Sequence, residues 1–240
     1  SFTREFAKHI GWWNSISGGD FDEDGDIDYV LGNLGLNALY KASAAEPVSI
    51  YAKDYDNNGS IDPIVTRFIQ GKEYPTHYRE TLTEQMVGFR KRLMRYSIYG
   101  KMTFQDLISQ EELSGADIHQ TSWLSSSYLE NLGNGAFNIR SLPVAAQLSP
   151  LFGTVITDIN HDGKLDVLGI GNDYSSETVT GFYDAGIGVC LYGDGRGNFR
   201  SINTTESGFF VDKDAKAMAI LRTSSDQQLW LATVNQDSLG

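Results

Sequence analysis

Three short stretches place oxygen-bearing side chains on alternate positions: DFDEDGDID (Asp20–Asp28), DYDNNGSID (Asp54–Asp62) and DINHDGKLD (Asp158–Asp166). Position 1 is Asp20, Asp54 or Asp158, position 3 is Asp22, Asp56 or Asn160, and position 5 is Asp24, Asn58 or Asp162. Position 6 is always glycine (Gly25, Gly59, Gly163), position 8 is apolar (Ile27, Ile61, Leu165), and position 9 is aspartate (Asp28, Asp62, Asp166). Neighbouring carboxylates repel and oppose folding unless a cation sits among them. Oxygens on alternate residues of a tight loop converge on one point, and Ca2+ accepts about six to eight of them in a flexible shell. Glycine allows the sharp reversal that a β-carbon resists. Position 7 need offer only its backbone carbonyl, which frees its side chain to vary over Asp26, Ser60 and Lys164. The apolar position 8 is expected to point away from the ion, into the core. Mg2+ is less suited, because it keeps its waters and demands octahedral geometry. The expectation is about three Ca2+ ions, one per loop.

An EF-hand needs a bidentate Glu at position 12. Here that position is Leu31, Val65 and Gly169, so the aspartate at position 9 must close the shell. The flanks are short, apolar and rich in β-formers: VSIYAKDY and FGTVITDI lead into two loops, and DYVLGN, DPIVTRF and DVLGIGN lead out of the three. The unit is therefore strand, loop, strand.

The frame D-x-D-x-D-G-x-x-D between short strands resembles the FG-GAP or VCBS repeat of integrin α-subunits and bacterial surface proteins. The later half of such a repeat, an apolar strand and a glycine-rich hairpin ending in Phe, is matched by YLENLGNGAF and CLYGDGRGNF. GWWNSISGGDFDEDGDIDYVLGNLGLN, together with LPVAAQLSP and DINHDGKLDVLGIGNDY, is similar to VCBS-repeat proteins of Bacteroidetes related to the ASPIC/UnbV group. The resemblance covers most of the chain. It implies a mainly β, propeller-like fragment of about four blades, forming one domain over residues 1–240 within a longer protein.

The first two loops begin 34 residues apart and the last two 104 apart, so a segment is inserted between them. Over about 78–115 the period becomes helical. Leu82, Met86, Phe89, Leu93 and Tyr96 form a stripe, and Thr81 with Glu84 and Thr103 with Asp106 read as capping boxes. Helices are predicted near 81–97 and 103–111, with a break at Gly100. The same segment holds the basic cluster Arg90, Lys91, Arg92, Arg95 and Lys101. It reads as a solvated face, or as a docking face for another domain or an acidic glycan.

Composition narrows the function. The chain has 240 residues and a formal net charge of -12, which offers no basic field for nucleic acid. No run is long and apolar enough to insert in a membrane. The single cysteine, Cys190, reads as a buried small hydrophobe. His9, His77, His119 and His161 have no metal-ligand spacing, and no nucleophile elbow, H-E-x-x-H or P-loop occurs. Trp12 and Trp13 could stack on a sugar, but beside a strand they read as core. Two functions stand: a non-catalytic extracellular binding or scaffold module for a protein or glycan, or part of a calcium-dependent carbohydrate-active enzyme such as a polysaccharide lyase. Weak extracellular-type calcium loops imply a calcium-rich compartment, the periplasm or cell surface.

Overall fold

A computed structural model describes residues 8–177, 180–224 and 228–236. Contacts divide the chain into two compact units, one comprising residues 11–39 with 124 onward, the other residues 8–10 with 40–123. Among the described residues the strands form four antiparallel sheets. The protein is mainly β, with helix concentrated in one segment. No described helix is long and apolar enough to cross a membrane.

The chain opens with a hairpin of β1 (Ser15–Gly19) and β2 (Asp28–Gly32), joined by the first acidic loop. It then enters the second unit. There β3 (Val48–Lys53) and β4 (Asp62–Ile69) are joined by the second acidic loop, and β4 turns into β5 (Lys72–Pro75). That turn is two residues, Gln70 and Gly71, with φ of 51° and 77°. Positive φ at both positions matches the twist of a hairpin. Five short helices follow: α1 (Arg79–Gln85), α2 (Phe89–Arg92), α3 (Tyr96–Tyr99), α4 (Phe104–Leu107) and α5 (Gln110–Leu113). The closing strand, β6 (Asp117–Thr121), pairs with β3, so the sheet order is β5-β4-β3-β6. Ile64 of the sheet is buried with Leu82, Met86, Phe89, Leu93, Phe104, Leu107 and Ile108 of the helical segment. Beside this core the buried Glu73 carboxylate accepts hydrogen bonds from Tyr51 (3.0 Å), Thr66 (2.6 Å) and Gln105 (3.1 Å). Gln105 belongs to α4, so this polar clamp ties the helices to the sheet.

The helical segment differs from the two long helices predicted. A straight helix over 81–97 would run about 25 Å and carry its ends off the sheet. Instead α1 stops at Met86, whose backbone is extended (φ -120°, ψ 93°), and the chain is extended again at Arg95 (φ -127°, ψ 136°). These corners return Met86, Phe89 and Leu93 to one core, and they reset the helical phase so that Tyr96 is left outside. Gly100 ends α3, as expected. Thr103 and Asp106 form their capping box, and Ser109 with Glu112 forms another that restarts the helix and splits 103–111 in two. Thr81 caps nothing; α1 begins from Tyr78 without a side-chain cap.

Back in the first unit, β7 (Ser127–Asn131) pairs with β2 and forms a hairpin with β8 (Phe137–Ser141). Next, β9 (Leu151–Thr157), β10 (Asp166–Gly171), β11 (Val189–Gly193) and β12 (Phe199–Ile202) follow one another as an antiparallel meander, the third acidic loop joining β9 to β10. A short helix, α6 (Thr204–Ser207), precedes the hairpin of β13 (Ala215–Arg222) and β14 (Gln228–Val234). The glycine-rich segments Tyr128–Phe137 and Cys190–Phe199 are both hairpins, as expected. Phe21, Val30, Tyr128, Leu142, Leu151, Val167 and Leu191 share one core. Within it Phe21, Tyr128 and Phe199 meet edge to face, their centroids 5.3–5.8 Å apart. Cys190 is buried, and burial pushes its thiol up to about 11. Trp12 and Trp13 are not core: they are 39 % and 38 % exposed.

Candidate metal centres

All three acidic loops close antiparallel hairpins at the same register, Gly19 opposite Asp28, Lys53 opposite Asp62 and Thr157 opposite Asp166. Their backbones share one conformation. The glycine at position 6 has φ of 95°, 90° and 86°, and position 4 is also left-handed, with φ of 63° at Glu23, 59° at Asn57 and 61° at His161. A β-carbon at any of the three glycines would meet nothing within 4 Å, so backbone conformation alone requires glycine there.

The hydrogen bonds repeat as well. The carboxylate at position 1 accepts the position 6 N–H: Gly25 to Asp20 at 3.1 Å, Gly59 to Asp54 at 2.8 Å and Gly163 to Asp158 at 2.9 Å. Position 5 accepts from the position 7 N–H: Asp26 to Asp24 at 2.8 Å, Ser60 to Asn58 at 2.8 Å and Lys164 to Asp162 at 3.0 Å. Position 9 accepts from the position 2 N–H: Phe21 to Asp28 at 3.2 Å, Tyr55 to Asp62 at 2.9 Å and Ile159 to Asp166 at 2.9 Å. The closing aspartates are buried, at 0 %, 1 % and 0 % exposure. Two are also gripped from the next strand. Asp28 accepts the Asn131 N–H (2.8 Å) and the Tyr128 hydroxyl (2.6 Å), and Asp166 accepts the Gly193 N–H (2.9 Å). Loop spacing gave no signal for Tyr128, Asn131 or Gly193, which sit in hairpins far along the chain.

Position 8 corrects an expectation. Ile27 and Ile61 are 48 % and 65 % exposed. Strand alternation explains this: position 9 starts a strand facing inward, so position 8 must face outward. Only Leu165 packs partly against a core. The inward apolar residue is at position 2, where Phe21 is buried and Tyr55 and Ile159 pack on cores.

The loops bring the carboxylates together. Asp20, Asp22 and Asp28 each offer an oxygen within 4.8 Å of the others, and so do Asp54, Asp56 and Asp62; either cluster could hold a metal ion. In the third loop the amide of Asn160 replaces the second carboxylate; it accepts the Asp162 N–H (2.9 Å) and donates to Asp162 Oδ2 (3.1 Å). Asp24, Asn58 and Asp162 lie exposed at position 5. Of the position 7 residues, Asp26 and Ser60 are exposed, while the Lys164 ammonium donates to the Asp194 carbonyl on the β11–β12 hairpin. Burial, then the nearby Asp28 charge, raises the Asp22 carboxyl above its ordinary value. Burial also raises Asp62, with Asp56 and Asp54 adding to it, and raises Asp166. Asp20 Oδ1 and Asp56 Oδ1 are shielded from solvent and accept no hydrogen bond from the described residues. Unpartnered carboxylate oxygens inside repelling clusters fit a hard cation.

Among the described residues no histidine joins an acidic cluster. His161 is exposed, His119 meets Asp117 (3.0 Å), His9 packs edge-on against Trp123, and His77 Nε2 accepts the Val65 N–H. No protein-family model matches the chain, and no curated protein matches it significantly.

Proposed function

We propose that the chain is a non-catalytic calcium-binding module of the FG-GAP/VCBS type, propeller-like in architecture, that works as an extracellular binding or scaffold unit for a protein or glycan. The observation that carries this reading is the identity of three loops distant in sequence, down to the same two left-handed residues, the same three hydrogen bonds and the same buried closing aspartate. In each loop the ion would be held by the side chains at positions 1, 3, 5 and 9 and the carbonyl at position 7. All are hard oxygens, and such a flexible set suits Ca2+ better than Mg2+. Bound ions would cancel the repulsion and stiffen the hairpins. The residues themselves do no bond-breaking chemistry in this reading; the loops are struts that hold a recognition surface in place.

Calcium should therefore stabilise the native state by mass action. With the Kd of ~10⁻⁴–10⁻³ M typical of extracellular modules, 10 mM Ca2+ contributes about 1.4–2.7 kcal/mol per site. Melting curves in calcium are expected to lie several degrees above those of metal-depleted protein, with a smaller rise in magnesium. Superimposable curves overturn the proposal.

A further inference from the structure

The helical segment carries a surface that the calcium loops do not explain. Residues 86–105 contain five basic residues and no acidic one, in a chain of net charge -12. Arg92 is neutralised by Glu112 at 2.7 Å. Arg90, Lys91, Arg95 and Lys101 are exposed and form no ion pair with a described residue. Tyr96, which follows Arg95 in the chain, is 67 % exposed. Its ring is held. The Arg79 guanidinium lies over it, 5.0 Å from the centroid, and the Tyr96 hydroxyl donates to the Glu80 carboxylate. Arg79 is fixed in turn by the Leu93 carbonyl and by Glu80 at 3.1 Å. One side of the ring is thus capped by a cation, and its position is fixed before any ligand arrives. Pre-ordering an exposed ring lowers the entropy lost when something stacks on it.

We propose that this helical segment binds an acidic polysaccharide, a pyranose ring stacking on Tyr96 and the carboxylate or sulfate groups of the chain meeting the exposed cations that precede and follow it, Arg90, Lys91, Arg95 and Lys101. Charge complementarity selects a polyanion, and an aromatic ring held in place suits the C–H face of a pyranose chair better than the deformable surface of a bilayer. The Glu80 carboxylate at the ring is engaged by Tyr96 and Arg79, which weakens its opposition to a polyanion. The inference rests on the reading of the chain as a binding module and needs no ion in any loop.

The test is biolayer interferometry of the whole chain on immobilised hyaluronan (carboxylate only) and chondroitin sulfate (carboxylate and sulfate), with dextran and phosphatidylglycerol vesicles as comparators. Neither polyanion depends on calcium gelation, so 1 mM Ca2+ can be present throughout. Binding is expected to one or both polyanions and not to dextran, weakening as salt rises. Lys91→Glu with Arg95→Glu, and separately Tyr96→Ala, should each lower affinity about tenfold. All three positions are exposed, so unchanged melting curves will show that the variants fold. No binding to either polyanion, equal binding by the variants, or binding to the vesicles alone overturns the inference. The calcium melting shift, read on the same preparation, separates this failure from failure of the calcium proposal.

Discussion

Asp28 joins the first acidic loop to the sheet behind it. Its two oxygens take two backbone N–H groups and a tyrosine hydroxyl, and the carboxylate itself is fully buried. An unsatisfied buried donor costs about 1–3 kcal/mol. Asp28→Ala is therefore expected to lose about 3 kcal/mol or more, and Tyr128→Phe, which removes one donor with its site otherwise intact, about 1 kcal/mol. Asp26→Ala, at an exposed side chain, should stay within about 0.5 kcal/mol of wild type. Urea denaturation of metal-depleted protein measures all three; equal losses at Asp26 and Asp28 would show that the closing position is misassigned. At this scale much was legible. The spacing of acceptors and the fixed glycine identify the loops because the left-handed turn and its side-chain acceptors dictate residue type directly. What the loop sequence could not show is that Tyr128 and Asn131, a hundred residues further on, complete the grip on Asp28. Nor did it reveal that Phe21 rather than Ile27 turns inward, although the parity of the strand begun at Asp28 contained that answer.

Among the elements, the short helices show how local capping outweighs a periodic stripe. Leu82, Met86, Phe89 and Leu93 are at helical spacing and are buried, so the stripe identified the core. It did not identify the breaks, because extended residues at Met86 and Arg95 serve long-range packing, which periodicity does not encode. A further break, between α4 and α5, is held by charge as well. Glu112 caps Ser109 and pairs with Arg92, whose hydrogen bond is the largest cause pulling its carboxyl from 4.5 to about 2. The folded value lies below the unfolded one, so this contribution is fully present above the ordinary glutamate range and is lost as pH falls towards 2. Both side chains are about a third exposed, which limits the pair to about 1 kcal/mol or less. The stability difference between wild type and Glu112→Gln is expected to shrink steadily from pH 6 to pH 2. A constant difference would mean that the ion pair contributes nothing beyond the cap.

Across the whole molecule, each of the two units has its own apolar core. Leu93→Ala, at a fully buried site, should cost about 2–5 kcal/mol. Native-state hydrogen exchange should then accelerate over residues 40–123 and change little in β9–β12; a uniform acceleration would mean that the units unfold as one. Mainly β content and the three loop-bearing hairpins were legible, because alternation and turn chemistry are local. Sheet order was not. The pairing of β2 with β7 spans an excursion of the chain through a separate sheet, and the pairing of β6 with β3 brackets helices α1 to α5. Such pairings depend on which apolar faces meet after the chain has folded locally.

The second loop also bears on chemical ageing. Asn58 precedes Gly59, a pair prone to deamidation, in which the glycine nitrogen loses its proton and attacks the side-chain amide carbon of asparagine, expelling ammonia and leaving a succinimide that water then opens. Here that nitrogen donates its proton to Asp54 Oδ2 at 2.8 Å, and the Asn58 oxygen is occupied by the Ser60 N–H. Both reacting groups are thus engaged in hydrogen bonds while the loop is closed, and conversion of residue 58 to aspartate or isoaspartate is expected to be slower in the folded protein than in the unfolded chain. On prolonged storage, then, the mass increase of one dalton at this residue becomes a clock for how often the loop opens.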